Sequence, residues 1–307
     1  MDPPSPSPVR LSASSLGAFF YNHCEYFLLR RGTDRAARAS SSSPSSATAG
    51  SHPTATPTLV PVPDLPDIES LTGATFARGV LFEDGINASI AAAGVGSDAA
   101  DAVPLEMIAD TVMALLAATA SASDLAQRLD DRLVPHRELA DSVDLRPGHY
   151  IYHPRFTGVP FQVPGVTWGS WEPDFLLIRP APPGAPHDAP LEIVIIDAKS
   201  SKRLKLSHQM QVAFYALALA PLLDDVTVPA AALPPWALPH NAGPTIPLSA
   251  LVPVAHVGAV WRPNAPLDVF RLSLLTDLLT DFIDTRLPPL VAAGLASADY
   301  RLAEVCK

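Results

Sequence analysis

The chain has 307 residues, 48% of them hydrophobic, enough for one large domain or two small ones with a sizeable core. Its net charge of −10 argues against a protein that coats nucleic acid indiscriminately, because phosphate binding needs concentrated Lys and Arg. Two cysteines, Cys24 and Cys306, make no disulfide framework and predict a reducing, intracellular setting; no apolar stretch has the length of a membrane span, and the opening MDPPSPSPVR lacks the apolar region of a secretory signal.

Ser12 is a predicted N-cap, followed by Leu16, Phe19, Phe20, Cys24, Phe27 and Leu28 at helical spacing, with Gly32 as the stop. Residues 35–67 are rich in Ser, Ala and Pro and predict a disordered insertion, since they cannot bury enough apolar surface to offset ordering entropy. A second helix is expected over 70–94 and a third helical region over 104–130. HYIYHPRF (149–156) alternates like a strand, and TWGSWEPDFLLIRP (167–180) reads as a turn and a strand. LEIVIIDAK (191–199) is an unbroken apolar run ending in an acid and a lysine, the pattern of a strand buried on both faces. A helix follows over 206–223, a Pro-rich loop over 229–247, and a last strand over 253–263. Residues 266–294 predict a long amphipathic helix broken at Pro288 and Pro289. Strands mixed with helices predict a single α/β domain over 8–307, a short mixed sheet flanked by helices.

The chemistry concentrates at the end of the buried strand. Asp197 and Lys199 are two apart and so share a face. An isolated Asp-x-Lys is ordinarily a surface ion pair of little energetic value. Here Asp174, at the start of the preceding strand, supplies a second carboxylate. Two adjacent strands, each presenting an Asp at one sheet edge, bring their carboxylates within chelating distance of a hard cation such as Mg²⁺. Such an ion lowers the pKa of a bound water and stabilises charge on a phosphoryl oxygen. Lys199 would position or help deprotonate the attacking water, or stabilise the transition state. These residues are predicted to serve metal and water rather than the core.

PD at 173–174 followed by DAK at 197–199 resembles the PD-(D/E)XK nuclease superfamily. QVAFY, with Gln211 and Tyr215 four apart on one helix face, resembles the Q-x-x-x-Y motif of its RecB-like branch. RGVLFEDGI resembles the branch's first motif, in which a helical Glu or His supplies a metal ligand; Glu83 stands at that place, with Asp84 beside it as the alternative. The order Glu83, Asp174, Asp197, Lys199, Gln211, Tyr215 is the family's order. The resemblance implies a restriction-endonuclease-like core and an enzyme that hydrolyses phosphodiester bonds with Mg²⁺ or Mn²⁺. Its implied substrate is DNA, single-stranded or flap, in repair or replication. Glu83, Asp174 and Asp197 are the implied metal ligands, with Asp174, Asp197, Lys199, Gln211 and Tyr215 catalytic. A helicase domain or subunit is an implied partner, and the nucleus the implied location in a eukaryote. The rival reading is a catalytically inactive, DNA-binding or scaffolding relative.

Lys202, Arg203 and Lys205 crowd the exit of the strand. They are expected to hold the DNA backbone, with Gln211 and Tyr215 fixing the strand; the bland alternatives are a solvated loop and a Gln211–Tyr215 pair that packs against the sheet without touching DNA. His208 is read either as a phosphate contact or as an ordinary surface residue, and Trp168 and Trp171 either as base-stacking platforms or as cover for the core. FFYNHCEYFLLRRG resembles the N-terminal cysteine segment of the branch's iron–sulfur members, such as exonuclease V and the nuclease domain of the Okazaki-flap nuclease-helicase. These implied relatives hold a [4Fe–4S] cluster with one N-terminal and three C-terminal cysteines. By that resemblance Cys24 and Cys306 would be two of the four thiolates needed, so the cluster is expected only if the sequence is a truncation. Otherwise the cluster is lost, with Cys24 a small buried hydrophobe and Cys306 a free thiol.

Overall fold

The computed structural model describes residues 9–22, 28–29, 32–33, 68–98, 103–131, 146–201, 203–263 and 265–294. The predicted insertion at 35–67, both cysteines and Lys202 lie outside the described residues. In chain order come β1 (Val9–Leu11), α1 (Ala13–Asn22), α2 (Ile68–Ala93), β2 (Gly96–Asp98), α3 (Pro104–Ala117) and α4 (Ala122–Asp131). They are followed by β3 (His149–Tyr152), β4 (Val166–Trp168), β5 (Phe175–Pro180), β6 (Leu191–Ala198) and α5 (Leu206–Asp225). The last are β7 (Thr227–Pro229), β8 (Thr245–Pro247), β9 (Val254–Trp261), β10 (Asp268–Arg271), α6 (Ser273–Asp281) and α7 (Leu287–Ala293).

Six strands form one mixed sheet in the order β10-β9-β6-β5-β3-β2. β6 pairs antiparallel with β5 and parallel with β9. All eight of its residues are buried, because it has strand neighbours on both sides and packed side chains on both faces. Ile193 and Ile195 face a core built with Leu16 and Phe19 of α1 and Met210 and Phe214 of α5. Val194 and Ile196 face the opposite core, with Ile86 and Ile90 of α2, Tyr150, Phe175 and Trp261. Each such side chain contributes about 1.5–3 kcal/mol by leaving water. Two small two-stranded sheets, β1-β4 and β7-β8, lie outside the main sheet.

Local chemistry explains the helix ends. The Ser12 hydroxyl accepts the backbone N–H of Ser15 at 3.3 Å, the cap expected from sequence. The predicted helical region at 104–130 is two helices bent by 112°. The Thr119 hydroxyl folds back onto the carbonyls of Leu115 and Leu116, while Ser121 accepts the N–H of Asp124 and Asp124 accepts that of Ala120. That reciprocal cap starts a new helix rather than continuing the old one. Among the described residues, no single helix is long and apolar enough to cross a membrane.

Two expectations are corrected. The stretch 266–294 is not one helix: its first part is β10, which pairs antiparallel with β9, so Asp268 stands opposite Val260. A π-helical turn at Phe282–Arg286 then joins α6 to α7, and Pro288 and Pro289 fall in the first turn of α7, where missing N–H donors cost nothing. The Pro-rich stretch 229–247 is closed by the β7-β8 ribbon and holds two 3₁₀ turns, and the Trp236 indole N–H anchors it to the Thr119 carbonyl at 3.1 Å. One glycine governs the placement of α5. A Cβ on Gly17 would stand 2.6 Å from the Ser207 carbonyl oxygen, so α1 approaches the first turn of α5 this closely only without a side chain.

Candidate active site

β5 and β6 run antiparallel with Phe175 opposite Ile196. One residue further in the same register, Asp174 stands opposite Asp197. Across β5, Tyr152 pairs with Phe175, so the row continues to His153, whose backbone N–H donates to the Asp174 carbonyl at 3.0 Å. Three neighbouring strands therefore end in one row. Directly opposite residues share a face of the sheet, which brings the two aspartates together.

Lys199 lies between them. Its Nζ is 2.7 Å from Asp197 Oδ2 and 3.8 Å from Asp174 Oδ2. The backbone N–H of Ala198 donates to Asp174 Oδ2 at 2.6 Å, fixing that carboxylate to the end of β6. Asp197 is fully buried, and its Oδ1 faces no hydrogen-bond donor among the described residues. Burial, opposed by Lys199 and reinforced by Asp174, holds the Asp197 carboxyl well above the usual carboxylate range. Burial acts to lower Lys199, but Asp197 and then Asp174 outweigh it and raise the ammonium above its ordinary value. Lys199 is thus a fixed positive charge at neutral pH. Asp197 belongs to the interior as well as to the site, and its removal would leave that charge short of its nearest partner.

α2 crosses the same end of the sheet. Glu83 Oε2 is 3.6 Å from His153 Nε2, and one donor atom each of Glu83, His153 and Asp174 lie within 4.8 Å of one another. Asp84 is exposed, so the helix turns Glu83, not its neighbour, toward Asp174; the trio gathered among the described residues has His153 in the place expected for Asp197. Comparison with protein-family models, curated proteins and solved structures returns no match. The functional reading therefore rests on the geometry of these side chains.

Sequence reasoning missed His153. In a regular strand it would point away from Tyr152. Instead its backbone adopts φ +48° and its ring stacks on Tyr152, with centroids 3.8 Å apart. The left-handed turn breaks the alternation and delivers the imidazole to Glu83. The available signal was a His closing an alternating run just before Pro154, since His is enriched in this conformation.

Gln211 and Tyr215 do meet: the Gln211 amide donates to the Tyr215 hydroxyl at 2.8 Å. Burial, and then Asp197, push the Tyr215 phenol well above its usual range, so it stays protonated. Trp171 is buried, stacked on Phe156 at 4.1 Å and near-parallel to Tyr215 at 5.7 Å. Trp168 packs against Phe161 and Phe214. Both tryptophans cover the core.

Arg203 and Lys205 are exposed at the entrance to α5. Lys205 is the N-cap residue, and the first turn has neither a side-chain cap nor an acidic residue, which leaves its positive end open to an anion. His208 is half-buried one turn in. Burial, followed by Lys199, Lys205 and Arg262, pushes it down to about 4. A His depressed in the folded state contributes stability that is complete above its unfolded value of 6.5 and is lost as pH falls through about 4. Acidification across that window should therefore cost on the order of 1–2 kcal/mol after allowance for solvent screening. His208→Gln should flatten the dependence, as read by urea unfolding at several pH values. An unchanged slope would assign the acid sensitivity to other groups.

Proposed function

We propose that the chain is a divalent-metal-dependent nuclease of PD-(D/E)XK type with a restriction-endonuclease-like core, acting on single-stranded or flap DNA. One observation carries this reading: Asp174 and Asp197 converge at the ends of adjacent antiparallel strands with the Lys199 ammonium against both, 3.8 and 2.7 Å away. The donor set fits a hard cation such as Mg²⁺ or Mn²⁺. Glu83 and Asp174 oxygens lie close together, and the buried Asp197 Oδ1 lacks a donor. Glu83 and Asp174 would hold the ion. Asp197 lies outside the cluster that gathers them with His153, its Oδ2 held by Lys199 at 2.7 Å, and its Oδ1 would be a further oxygen donor. When bound, the ion would supply Lewis acidity toward a phosphoryl oxygen and a water of lowered pKa.

The chain's own residues do the rest. Lys199 presents a buried positive charge where negative charge develops on the phosphate. The Gln211–Tyr215 pair and the uncapped start of α5 offer donors to the strand beside it. Labelled single-stranded, duplex and flap DNA, each with Mg²⁺, Mn²⁺ or EDTA, tests the reading. Cleavage should require the cation and vanish in Asp174→Asn. Binding without cleavage by the wild type would favour the inactive, DNA-binding relative.

The basic entrance to α5 makes a second expectation. Replacing Lys202, Arg203 and Lys205 with Gln should weaken binding to single-stranded DNA and make log K less steep in log salt by about 2, if each contacts one phosphate. An unchanged slope in a salt titration would leave these residues as solvated surface.

A further inference from the structure

We infer that His153 is a direct nitrogen ligand of the proposed metal centre, making it a mixed nitrogen–oxygen site that takes Mn²⁺ in preference to Mg²⁺. This rests on the metal-dependent reading of the same site. Three observations carry it. Donor atoms of Glu83, His153 and Asp174 gather within 4.8 Å. Ligands around one six-coordinate ion stand about 3 Å apart when adjacent and about 4.2 Å apart when opposite, so a small contraction completes the set. The separation of 3.6 Å between His153 Nε2 and Glu83 Oε2 is too long for a good hydrogen bond, yet suits two donors that a cation draws together.

The second observation is the backbone. His153 sits at φ +48°, a conformation that costs energy for a residue with a Cβ. Such an outlier persists where the surroundings over-determine it, and it clusters at functional sites. The third is that the surroundings do over-determine it. The His153 N–H is tied to the carbonyl of Asp174, itself a ligand candidate, and its ring is held against Tyr152 at 3.8 Å. The imidazole is positioned by the same strand end that positions the carboxylate. A His that merely decorated the surface would need neither tie.

The chemical consequence is selectivity. Carboxylate oxygens accept Mg²⁺ and Mn²⁺ alike, whereas an imidazole nitrogen adds little for Mg²⁺, a hard ion that keeps oxygen ligands and water. It adds more for first-row transition ions, of which Mn²⁺ is the weakest binder and the one that shares the octahedral oxygen chemistry of Mg²⁺. Nε2 faces the centre, so the ligating tautomer carries its proton on Nδ1.

Mn²⁺ alone, added to the full chain without DNA, is the probe. Free Mn²⁺ is counted by electron paramagnetic resonance, and bound Mn²⁺ is examined by electron spin-echo envelope modulation for coupling to a ligating ¹⁴N. The wild type should show that coupling and hold Mn²⁺ roughly tenfold or more tightly than Mg²⁺ in competition. His153→Gln should lose the coupling and bind Mn²⁺ about tenfold more weakly, with Mg²⁺ affinity changed less than about threefold. Bound Mn²⁺ without ¹⁴N coupling in the wild type overturns the inference and needs no variant to fold. Coupling that persists in His153→Gln, or equal losses for both ions, also overturns it. Asp174→Asn separates the two levels. If it abolishes Mn²⁺ binding while His153→Gln does not, only the role of His153 fails. If the wild type binds no Mn²⁺, or Asp174→Asn leaves binding untouched, the metal-dependent reading fails with it.

Discussion

Lys199→Met should lower cation-dependent cleavage of single-stranded DNA about 100- to 1,000-fold while the protein remains folded. The rate loss follows, on the proposed function, from removing a buried, pre-positioned positive charge from the proposed phosphate site. Retention of the fold follows from the pair's electrostatics. Asp197 is left buried beside Asp174, but its carboxyl is already raised by burial, so it takes up a proton instead of remaining as an unpaired charge. The converse change is less clean. Asp197→Ala leaves the Lys199 ammonium with only the more distant Asp174, 3.8 Å away and 14% exposed, and breaking a buried pair from that side costs about 3–5 kcal/mol. Lost cleavage in Asp197→Ala would mix chemistry with unfolding; Asp197→Asn, which keeps the shape, is the better partner for Lys199→Met. Single-turnover cleavage and urea unfolding of each variant separate the effects. A Lys199→Met protein that folds and cleaves at the wild-type rate would remove Lys199 from the machinery.

The largest effect on stability is expected at the other end of β6. Glu192 is fully buried, and its Oε1 accepts both Arg179 Nε at 2.8 Å and Nη2 at 2.6 Å from the facing position of β5. Among the described residues the Oε2 has no hydrogen-bond partner, and His187 stands 3.7 Å from it. Arg179→Leu removes the close partner and should destabilise the fold by about 3–5 kcal/mol. Arg179→Leu with Glu192→Leu should recover most of that loss, because no charge then remains buried. Urea unfolding of the two singles and the double closes the cycle. If the double is no more stable than Arg179→Leu, the cost lies in packing and not in the orphaned carboxylate. Glu192 is about 17 Å along the strand from Asp197, so the double should cleave like the wild type.

Much of the sheet was legible because its strands are extreme. LEIVIIDA reads as a strand buried on both faces, and that is β6. The helix after it is apolar on most sides, and α5 sits under the sheet for that reason. The short elements were not legible. β1, β2 and β4 have three residues each, too few to show a period, and exist through their partners. DVFR resembled the start of an amphipathic helix, yet the open edge of β9 captured it as β10.

At the site, the sequence by itself determined that Asp197 and Lys199 share a face, since side-chain direction alternates along any strand, and that Gln211 and Tyr215 meet, since four residues make about one helical turn. These are local rules and need no partner. Tertiary structure alone decided the register that sets Asp174 opposite Asp197, the rotation of α2 that turns Glu83 rather than Asp84 inward, and the depth that buries Asp197 completely. It also decided the position of His153, where a left-handed backbone overrides the alternation that the residues of β3 obey. The physical reason is common to all four. Register, helix rotation, burial and backbone strain are set by contacts between segments far apart in the chain, and the free energy of those contacts outweighs the local preference at each residue.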